Sequence, residues 1–473
     1  MSQKKNKNTR LYLLISVITI IVFKFILSAA IPLLDKTESR YAEIARIMAE
    51  TKEWVVLQID YGVPFWAKPP LSTWLSALSF DIFGVDELTA RLPSFLISLL
   101  IIYIVGKSIK KTNISFYLIA FILLTMPEFL IHTGVVSTDT ALNFCVVIIM
   151  LSFWKAMENK NKSFWNYLFF IGVGLGFLAK GPLILVLTGP PILAWIIIQK
   201  IKLKTVFTKL PWFIGTVLVL IIAVPWYIIA EERSPGFLDY FIVGEHFKRF
   251  LEPGWKGDLY GSGHSQPKGM IWVFLFIFTF PWFQIVLIKL WKNRKSILNN
   301  KWISYLVFWL IWTPLFFTMS TNILHTYILP VTIPIALLAV YYWDSYTNKK
   351  VVLGLGSIFP ILAIVAFIGI SFTNKVDYYA NSDKYLLQHQ FVNSTNKSVP
   401  IYYWKQKNYS GQFYSKGKAK EVKNEKELDS VSTIYPEIYF LISNKHKKDI
   451  SKEMLSKMNL LESNYKTSIY KIE

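Results

Sequence analysis

The chain has 473 residues, of which 53% are hydrophobic and 17% charged, and its formal net charge is +21. A soluble protein of this length would form about two or three domains with mixed surfaces, whereas here the apolar residues form long blocks. So basic a charge is typical of nucleic-acid-binding proteins, yet the basic residues fall in short segments between the apolar blocks. The composition therefore indicates an integral membrane protein and excludes a soluble nucleic-acid-binding one.

Eleven apolar runs are candidate transmembrane helices, because a run of about 18 or more apolar residues is long enough to cross a bilayer. Several of these runs are shorter than that length. We interpret the first run as a retained signal anchor, because it lacks a small-residue cleavage site before the charged segment that follows. The runs are 11–31, 92–106, 114–131, 140–154, 164–179, 182–198, 211–230, 270–290, 302–319, 323–343 and 351–373.

The charges of the connecting segments predict the orientation of the chain. With the N-terminus in the cytoplasm, the inward segments hold 21 lysine and arginine residues against two acids, Glu158 and Asp344. The outward loops and the spans together hold 13 basic and 17 acidic residues. This asymmetry follows the positive-inside rule, so the excess of positive charge reflects topology in the membrane.

Two outward loops, 32–91 and 231–269, are longer than ordinary connections and rich in aromatic residues, which indicates a functional role. In the first loop, Tyr41, Ile44 and Met48 recur at helical spacing opposite charged residues, which predicts an amphipathic helix at the membrane surface. The later apolar stretch Leu71–Phe83 is too short to cross a bilayer, and we expect it to lie in the interface.

The C-terminal residues 374–473 predict a small soluble α/β domain, because strand-like runs alternate with a helical stretch near Lys448–Met458. An odd number of spans puts this domain outside, on the side of the two long loops. We therefore divide the chain into a transmembrane part, residues 1–373, and an outward-facing domain, residues 374–473. The strand-like runs are Ile401–Trp404, Ile438–Ile442 and Thr467–Ile472.

The first loop opens with two carboxylates and an arginine, Asp35, Glu38 and Arg40, directly where the first span leaves the membrane. One interpretation is an interfacial charge cluster without a specific role. The other is a general base at the membrane surface, with Arg40 binding or positioning an anion. Residues 35–41 alone do not decide between these alternatives.

A lysine between aromatic residues and prolines, Lys68 in the segment Phe65–Pro70, is a more specific feature. The two prolines fix the backbone next to the lysine, and the aromatic residues suit the headgroup level of a membrane. Lys68 could extend to headgroups without a specific role. Alternatively, it is a point charge that binds one phosphate.

Further polar residues lie at the outward ends of later spans and in the second long loop. Asp139 is at the mouth of the fourth span, and Lys180 precedes a tight turn between the fifth and sixth. Alternatively, Lys180 is an interfacial lysine in a hairpin turn and has no specific role. The basic and histidine content of the second loop predicts an anionic ligand between the loops, and two histidines are weak candidates for a metal. These remaining candidates are His246, Arg249, His264, Lys268 and, at the start of the tenth span, Tyr327.

Several short motifs make the chain resemble the lipid-carrier-dependent glycosyltransferases of the GT-C type. Within that group it looks most like the bacterial aminoarabinose transferases that modify lipid A, which are related to the protein O-mannosyltransferases. The motifs occur in the family's order, and the tail carries none. They are Thr37-Glu38-x-Arg40-Tyr41-Ala42-Glu43-Ile44-Ala45-Arg46, Lys68-Pro69-Pro70-Leu71, Trp74, Phe83-Gly84, Ala90-Arg91-Leu92-Pro93, Ala179-Lys180-Gly181-Pro182, Glu245-His246-Phe247-x-Arg249-Phe250 and Thr326-Tyr327-x-x-Pro330.

The resemblance implies an α-helical polytopic GT-C fold in a bacterial inner membrane, with about eleven helices and the small C-terminal domain. It implies inverting transfer of a sugar from a polyprenyl-phosphate carrier to an acceptor outside, most simply lipid A or another envelope glycolipid. A first-loop carboxylate, Asp35 or Glu38, would deprotonate or orient the acceptor. Lys68 and other basic residues would hold the carrier phosphate as it leaves.

Two departures from the family pattern bear on the site. The family has an Asp-Glu pair before x-Arg-Tyr, whereas Thr37 occupies the Asp position here and Asp35 lies two residues earlier. Many relatives have a glutamate implicated in metal binding before Lys-Pro-Pro, where this chain has Ala67. The resemblance thus implies no certain cofactor, and a divalent metal stays an open alternative.

Three other functions remain as alternatives. A lipid or sugar transporter would carry ionisable residues within its spans, where Lys24 is the one clear example in the sequence. A noncatalytic receptor would leave the two long loops unexplained. A protein O-mannosyltransferase-type enzyme is the nearest alternative, since it would use the same kind of carrier.

Overall fold

The computed structural model describes residues 2–109, 115–159, 161, 163–252, 255–261, 265–373, 376–388 and 399–472. The predicted metal candidate His264 lies outside these residues. Most of the described chain is helical, and the strands are confined to the first loop and the tail.

Five helices are long and apolar enough to cross a membrane, and a pair bent by 104° raises the number to six if the pair is one span. Six shorter apolar helices accompany them. Because length and composition alone support five or six spans, the predicted number of eleven stays a prediction. The long helices are Asn8–Ala30, Glu87–Ser108, Thr138–Glu158, Trp212–Arg233 and Lys349–Ser371, the bent pair is Met270–Phe278 with Trp282–Lys292, and the shorter helices are Leu71–Phe83, Ser115–Thr125, Phe164–Lys180, Leu183–Ile198, Lys301–Phe317 and His325–Tyr341.

The remaining helices are short and connect or cover the apolar ones. Among them, Asp239–Lys248 is a π-helix in the second long loop, a rare form that often occurs at functional sites. The others are Thr37–Thr51, Pro127–His132, Leu203–Lys209, Arg249–Leu251, Val376–Tyr379, Lys384–Gln388, Tyr409–Tyr414, Glu425–Ile434 and Lys452–Ser456, with single 3₁₀ turns at Arg294–Ser296, Trp343–Ser345 and Lys447–Asp449.

The apolar helices differ in how deeply they are buried. In the Thr138–Glu158 helix, 78% of the most apolar window is buried, compared with 22% in Trp212–Arg233 and 17% in Lys349–Ser371. The outer helices expose large apolar side chains such as Phe213, which is 84% exposed. A surface with so many exposed apolar side chains is stable in contact with lipid and not with water. The outer helices therefore form a lipid-facing wall around a buried centre.

The amphipathic helix predicted in the first loop forms as Thr37–Thr51, but it does not lie with a polar face open at the surface. Its charged residues Glu43 and Arg46 are buried and joined by two hydrogen bonds of 2.7 Å. Burial raises the pKa of Glu43, although the hydrogen bonds from Arg46 oppose that shift. The i, i+3 spacing on one helix brings these two side chains together, but sequence periodicity could not show that they are buried, because burial depends on elements distant in the chain.

The C-terminal residues form the predicted α/β structure around a five-stranded sheet of order β4-β3-β5-β7-β6. Strand β3 runs parallel to β4 and β5, whereas β5 and β6 each run antiparallel to β7. The three predicted strands correspond to β3, β5 and β7. The strands are β3 Ile401–Trp404, β4 Lys420–Val422, β5 Ile438–Ser443, β6 Asn459–Ser463 and β7 Thr467–Ile472, after the first-loop hairpin β1 Gln58–Asp60 and β2 Val63–Pro64.

The tail packs directly on the first loop, mainly through the helix Tyr409–Tyr414. The Tyr414 hydroxyl donates to Glu87 at 2.9 Å, and Lys384 forms an ion pair with the same carboxylate at 2.6 Å. Lys407 pairs with Asp60 of β1 at 2.5 Å. These contacts tie the last quarter of the chain to the segment that follows the first span.

Candidate active site

The centre of the candidate site is a buried carboxylate, Glu245, held between two cations. Lys68 Nζ lies 2.7 Å from Glu245 Oε2, and Arg249 Nη1 lies 2.9 Å from Glu245 Oε1. Burial alone would raise the pKa of Glu245, but Lys68 and Arg249 outweigh burial and hold that pKa below its usual range. The predicted phosphate-binding residues Lys68 and Arg249 therefore come together around an ionised glutamate.

A second ion pair, Lys180 with Asp139, lines a small enclosed cavity. Lys180 Nζ lies 2.5 Å from Asp139 Oδ1 and 5.3 Å from the centre of the Tyr327 ring. The chain turns at Gly181, whose φ of +66° favours glycine. A Cβ atom at this position would also lie only 2.7 Å from the Phe241 ring, which excludes a larger residue. The cavity is lined by Asp139, Leu142, Lys180, Leu183, Leu187, Phe317, Thr326, Tyr327 and Pro330.

His246 connects the two ion pairs. Its ring nitrogens lie 2.8 Å from the Phe241 carbonyl and 3.2 Å from the Lys180 carbonyl. Burial lowers its pKa, which favours the neutral imidazole. Because both nitrogens face backbone carbonyls, the ring would have to turn before it could bind a metal, so the arrangement fits a positioning role for the Lys180 turn.

Glu38, one of the two predicted bases, is engaged by Arg91. The guanidinium donates to both carboxylate oxygens, at 2.8 Å and 2.7 Å. Arg91 also donates to the carbonyls of Ser28 and Pro32 at the end of the first span, at 2.9 Å and 3.0 Å. Glu38 thus joins the first loop to the second apolar helix through a bidentate pair.

Asp35, the other predicted base, is engaged by the tail. Its carboxylate accepts from the Ser410 backbone N–H at 2.8 Å, from the Ser410 hydroxyl, and from the Ser39 hydroxyl at 2.7 Å. Burial raises the pKa of Asp35 despite these hydrogen bonds. Within the described residues, neither Asp35 nor Glu38 forms an ion pair with Lys68, Lys180 or Arg249, so the structure brings together the predicted cations but not the predicted bases.

Arg40 and Lys268 occupy different surroundings. Arg40 donates to the Tyr260 carbonyl at 2.9 Å, and its guanidinium lies 5.3 Å from the Tyr41 ring and 5.7 Å from the Tyr409 ring of the tail. Its Nε is buried without a partner among the described residues. Lys268 is exposed just before the helix that begins at Met270 and does not line the cavity beside Lys180.

Three residues of the site were not predicted from the sequence as site residues. Glu245 was present in the Glu-His-Phe motif, and its position beside basic residues was the available signal. The Asp258 carboxylate is 3.8 Å from Arg249 Nη2 and its side chain is 7% exposed, but no motif marks it. Tyr409 lies in the tail, where the sequence carries no family motif, so only the fold reveals its contact with Arg40.

Comparison with known sequences finds relatives over most of the chain. Residues 7–241 match the profile of the family described as dolichyl-phosphate-mannose-protein mannosyltransferase. Two relatives are undecaprenyl phosphate-alpha-4-amino-4-deoxy-L-arabinose arabinosyl transferases. That of Wigglesworthia glossinidia brevipalpis is 29% identical over 80% of this chain and 69% of its own length. That of Yersinia enterocolitica is 28% identical over 66% of this chain and 55% of its own length.

Two solved structures share the fold. ArnT from Cupriavidus metallidurans bound to undecaprenyl phosphate aligns with a TM-score of 0.77 at 17% identity, over 97% of this chain and 98% of that one. The apo form of the same enzyme aligns with a TM-score of 0.72 at 16% identity, over 100% and 98%. The fold, the profile match and the relatives agree with the family motifs. By these matches the chain resembles the lipid-carrier-dependent glycosyltransferases of the GT-C type, in particular the bacterial aminoarabinose transferases, and the protein O-mannosyltransferases to which they are related.

Proposed function

We propose that this protein transfers a sugar, with inversion at the anomeric carbon, from a polyprenyl-phosphate carrier to lipid A or another envelope glycolipid outside the bacterial inner membrane. The observation that carries the proposal is the pairing of Lys68 and Arg249 with one buried carboxylate, Glu245, beside the Lys180–Asp139 pair. Two relatives of this chain are named undecaprenyl phosphate-alpha-4-amino-4-deoxy-L-arabinose arabinosyl transferases.

The cations suit a carrier phosphate. Without a ligand, Lys68, Arg249 and Lys180 are held by carboxylates, which fixes their positions and offsets the cost of their burial. A phosphate with two negative charges offers these cations a second partner in the same place. The Tyr327 ring lies 5.3 Å from Lys180 Nζ. Its hydroxyl can therefore donate one further hydrogen bond to a phosphate that Lys180 binds.

The reaction requires a group that takes a proton. The bond between the anomeric carbon and the phosphate oxygen breaks, an acceptor oxygen attacks from the opposite face, and the acceptor proton moves to a carboxylate. Asp139 lines the cavity, and its second oxygen accepts a hydrogen bond of 3.0 Å from Ser137. If Lys180 moves onto the leaving phosphate, Asp139 Oδ1 becomes free to accept the proton.

We therefore rank Asp139 ahead of Glu38 and Asp35 as the base. Glu38 and Asp35 rank lower, because in the enzyme without a ligand their carboxylate oxygens already accept hydrogen bonds from Arg91 and from Ser410. Removing a general base lowers turnover by about 10²–10⁴-fold. Single variants of the three acids in the purified enzyme separate the candidates.

The proposal includes an outward-facing tail. The tail contacts the first loop through Lys407 and Tyr414, and the first loop also carries Lys68. We expect alkaline phosphatase fused after Tyr470 to be active and a cytoplasm-only reporter at the same place to be inactive. Activity of the cytoplasmic reporter alone would overturn the topology.

The function is tested with purified enzyme, a polyprenyl-phosphate aminosugar and lipid A. Lys68→Ala should weaken donor use by about 1–3 kcal/mol, the value of a hydrogen bond to a charged group. Lys52→Ala is the matched control, because Lys52 pairs with Asp81 in the same loop but is 62% exposed. Equal donor KM and kcat in the Lys68 variant and the control would remove Lys68 from the site.

A protein acceptor is the second candidate, favoured by the match of residues 7–241 to the mannosyltransferase profile. Offering a serine- and threonine-rich peptide in place of lipid A distinguishes the two, since only an O-mannosyltransferase-type enzyme would glycosylate it. Movement of the carrier across vesicles without formation of a new glycosidic bond would instead indicate a transporter.

A further inference from the structure

A large cavity lies at the inward ends of the spans, at the opposite end of the molecule from the candidate active site. Its volume is about 670 Å³, within the range of small-molecule sites. It lies between the ends of the helices Thr138–Glu158 and Leu183–Ile198, the start of Lys301–Phe317, and the segment 199–205. The proposed sugar transfer uses none of its residues.

The cavity carries uncompensated positive charge. Lys200, Lys202 and Lys301 line it, all three are exposed, and none forms an ion pair with a described residue. Glu158, the one acid among the described residues that line it, is already paired with Lys155 at 3.0 Å. Three cations around one concave surface attract an anion, whereas cations spread over a flat surface are mainly solvated.

The floor of the cavity is aromatic and fixed. The rings of Trp154 and Trp302 lie 4.5 Å apart, and Trp195 lies 5.7 Å from Trp154. Trp195 Nε1 donates to the Lys301 carbonyl at 2.9 Å, and the Gln199 amide donates to the Leu298 carbonyl at 2.7 Å. Walls held by hydrogen bonds need little reordering when a ligand binds.

Three exposed apolar side chains lie within two positions in the chain of residues that line the cavity, and we call these three its mouth. Ile197, Leu203 and Phe207 are 71%, 60% and 60% exposed. Leu203 and Phe207 belong to the short helix Leu203–Lys209, which buries only Val206 and so presents its apolar side outward at the membrane boundary. A ligand with a charged head and apolar chains would match both the cavity and its mouth.

We propose that this cavity binds the phosphate-bearing headgroup of an anionic phospholipid of the cytoplasmic leaflet, with its acyl chains along Leu203 and Phe207. Lys200, Lys202 and Lys301 contact the phosphate, and the tryptophans contact the glycerol backbone. Basic pockets between transmembrane helices on the cytoplasmic side are known to take such headgroups, and tryptophan suits the level where headgroup meets chain.

The test measures lipid binding to the full-length protein in detergent by native mass spectrometry and by thermal unfolding. Cardiolipin and phosphatidylglycerol should bind and raise the Tm, and phosphatidylethanolamine should not. The triple variant Lys200→Gln, Lys202→Gln, Lys301→Gln should bind cardiolipin at least about tenfold more weakly. The matched control Lys292→Gln, Lys295→Gln, Lys350→Gln removes three exposed lysines of the same face from outside the cavity and should bind like the wild type.

Several results would overturn the proposal. These are equal weakening in both triple variants, equal binding of phosphatidylethanolamine, or displacement of cardiolipin by inorganic phosphate, which would mean a site for a free anion. Binding of undecaprenyl phosphate but not phospholipid would also overturn it. If the triple variant unfolds, the single variant Lys202→Glu serves, since Lys202 is exposed and its change should still weaken cardiolipin binding while sugar transfer is retained.

Discussion

Two groups of largely buried carboxylates, Asp35 with Glu38 and Asp139 with Glu245, have different kinds of partner. Glu38 and Asp35 are held by framework groups, the Arg91 guanidinium and the Ser410 of the tail. Glu245 and Asp139 are held by Lys68 and Lys180, the cations that the sequence predicts to bind the carrier phosphate. A carboxylate near the active site of a membrane enzyme can therefore either stabilise the fold or take part in the reaction. The group to which it is bound indicates which of the two roles it has.

The largest expected effect is on turnover. Asp139→Asn should lower kcat by about 10²–10⁴-fold, because the amide cannot take the acceptor proton. The Tm should also fall, because Asp139→Asn leaves the buried Lys180 without its carboxylate. Steady-state kinetics and thermal unfolding of the same purified sample make the comparison, and an Asp139→Asn enzyme with wild-type kcat would break it.

The next effect is on stability. Glu38→Gln leaves the buried Arg91 without its carboxylate, and breaking such a pair costs about 3–5 kcal/mol. We expect a lower Tm and poor extraction as a single species. Glu50→Gln is a suitable control, because Glu50 lies on the same helix with its side chain 55% exposed. A Glu38→Gln protein that unfolds like the control but has lost its turnover would make Glu38 the base instead.

A smaller effect is expected at the carboxylate between two cations. Glu245→Gln removes the shared partner of Lys68 and Arg249, which we expect to cost on the order of 1–3 kcal/mol, since both cations are partly hydrated. Undecaprenyl phosphate should then raise the Tm of the variant more than that of the wild type, because it supplies the missing negative charge. An equal increase in both proteins would separate Glu245 from the phosphate.

The smallest effect is a change in pH dependence where the tail meets the first loop. Burial, and then the charge of Asp35, raise the pKa of Asp383 to about 6. A raised pKa means that this acid stabilises the docked tail below its unfolded pKa, and that the stabilisation is lost as the pH rises through about 6. In Asp383→Asn, the resistance of the tail to proteolysis should vary less with pH between about pH 4 and 7 than in the wild type. Asp429 is exposed, and Asp429→Asn should leave this pH dependence unchanged.

The sequence predicted the elements better than their partners. Strands β3, β5 and β7 and the helix Thr37–Thr51 follow from local periodicity, which the folded chain preserves. The cations Lys68 and Arg249 were predicted as phosphate ligands, but their shared carboxylate Glu245 was not. An ion pair between residues 177 positions apart depends on how the loops pack, and no local pattern records that.

The hydrogen bonds between Asp35 and the tail could not be predicted from the sequence either. A carboxylate next to a span has the composition of a general base whether or not another element covers it. Here the element that covers it is the tail, whose sequence carries no family motif. Thr37, where the family has aspartate, was the one local sign that the acids of this loop have been rearranged.

The hydrogen bonds between Asp35 and Ser410 have a consequence for biogenesis. They join a segment that leaves the ribosome among the first to one that leaves among the last, 375 residues later. During synthesis the first loop is therefore made before its cover, and the Asp35 carboxylate stays hydrated until the tail has been made and has docked. This part of the enzyme thus reaches its final form only after the last long apolar helix, Lys349–Ser371, has been made, and a product that stops short of Ser410 retains an open first loop.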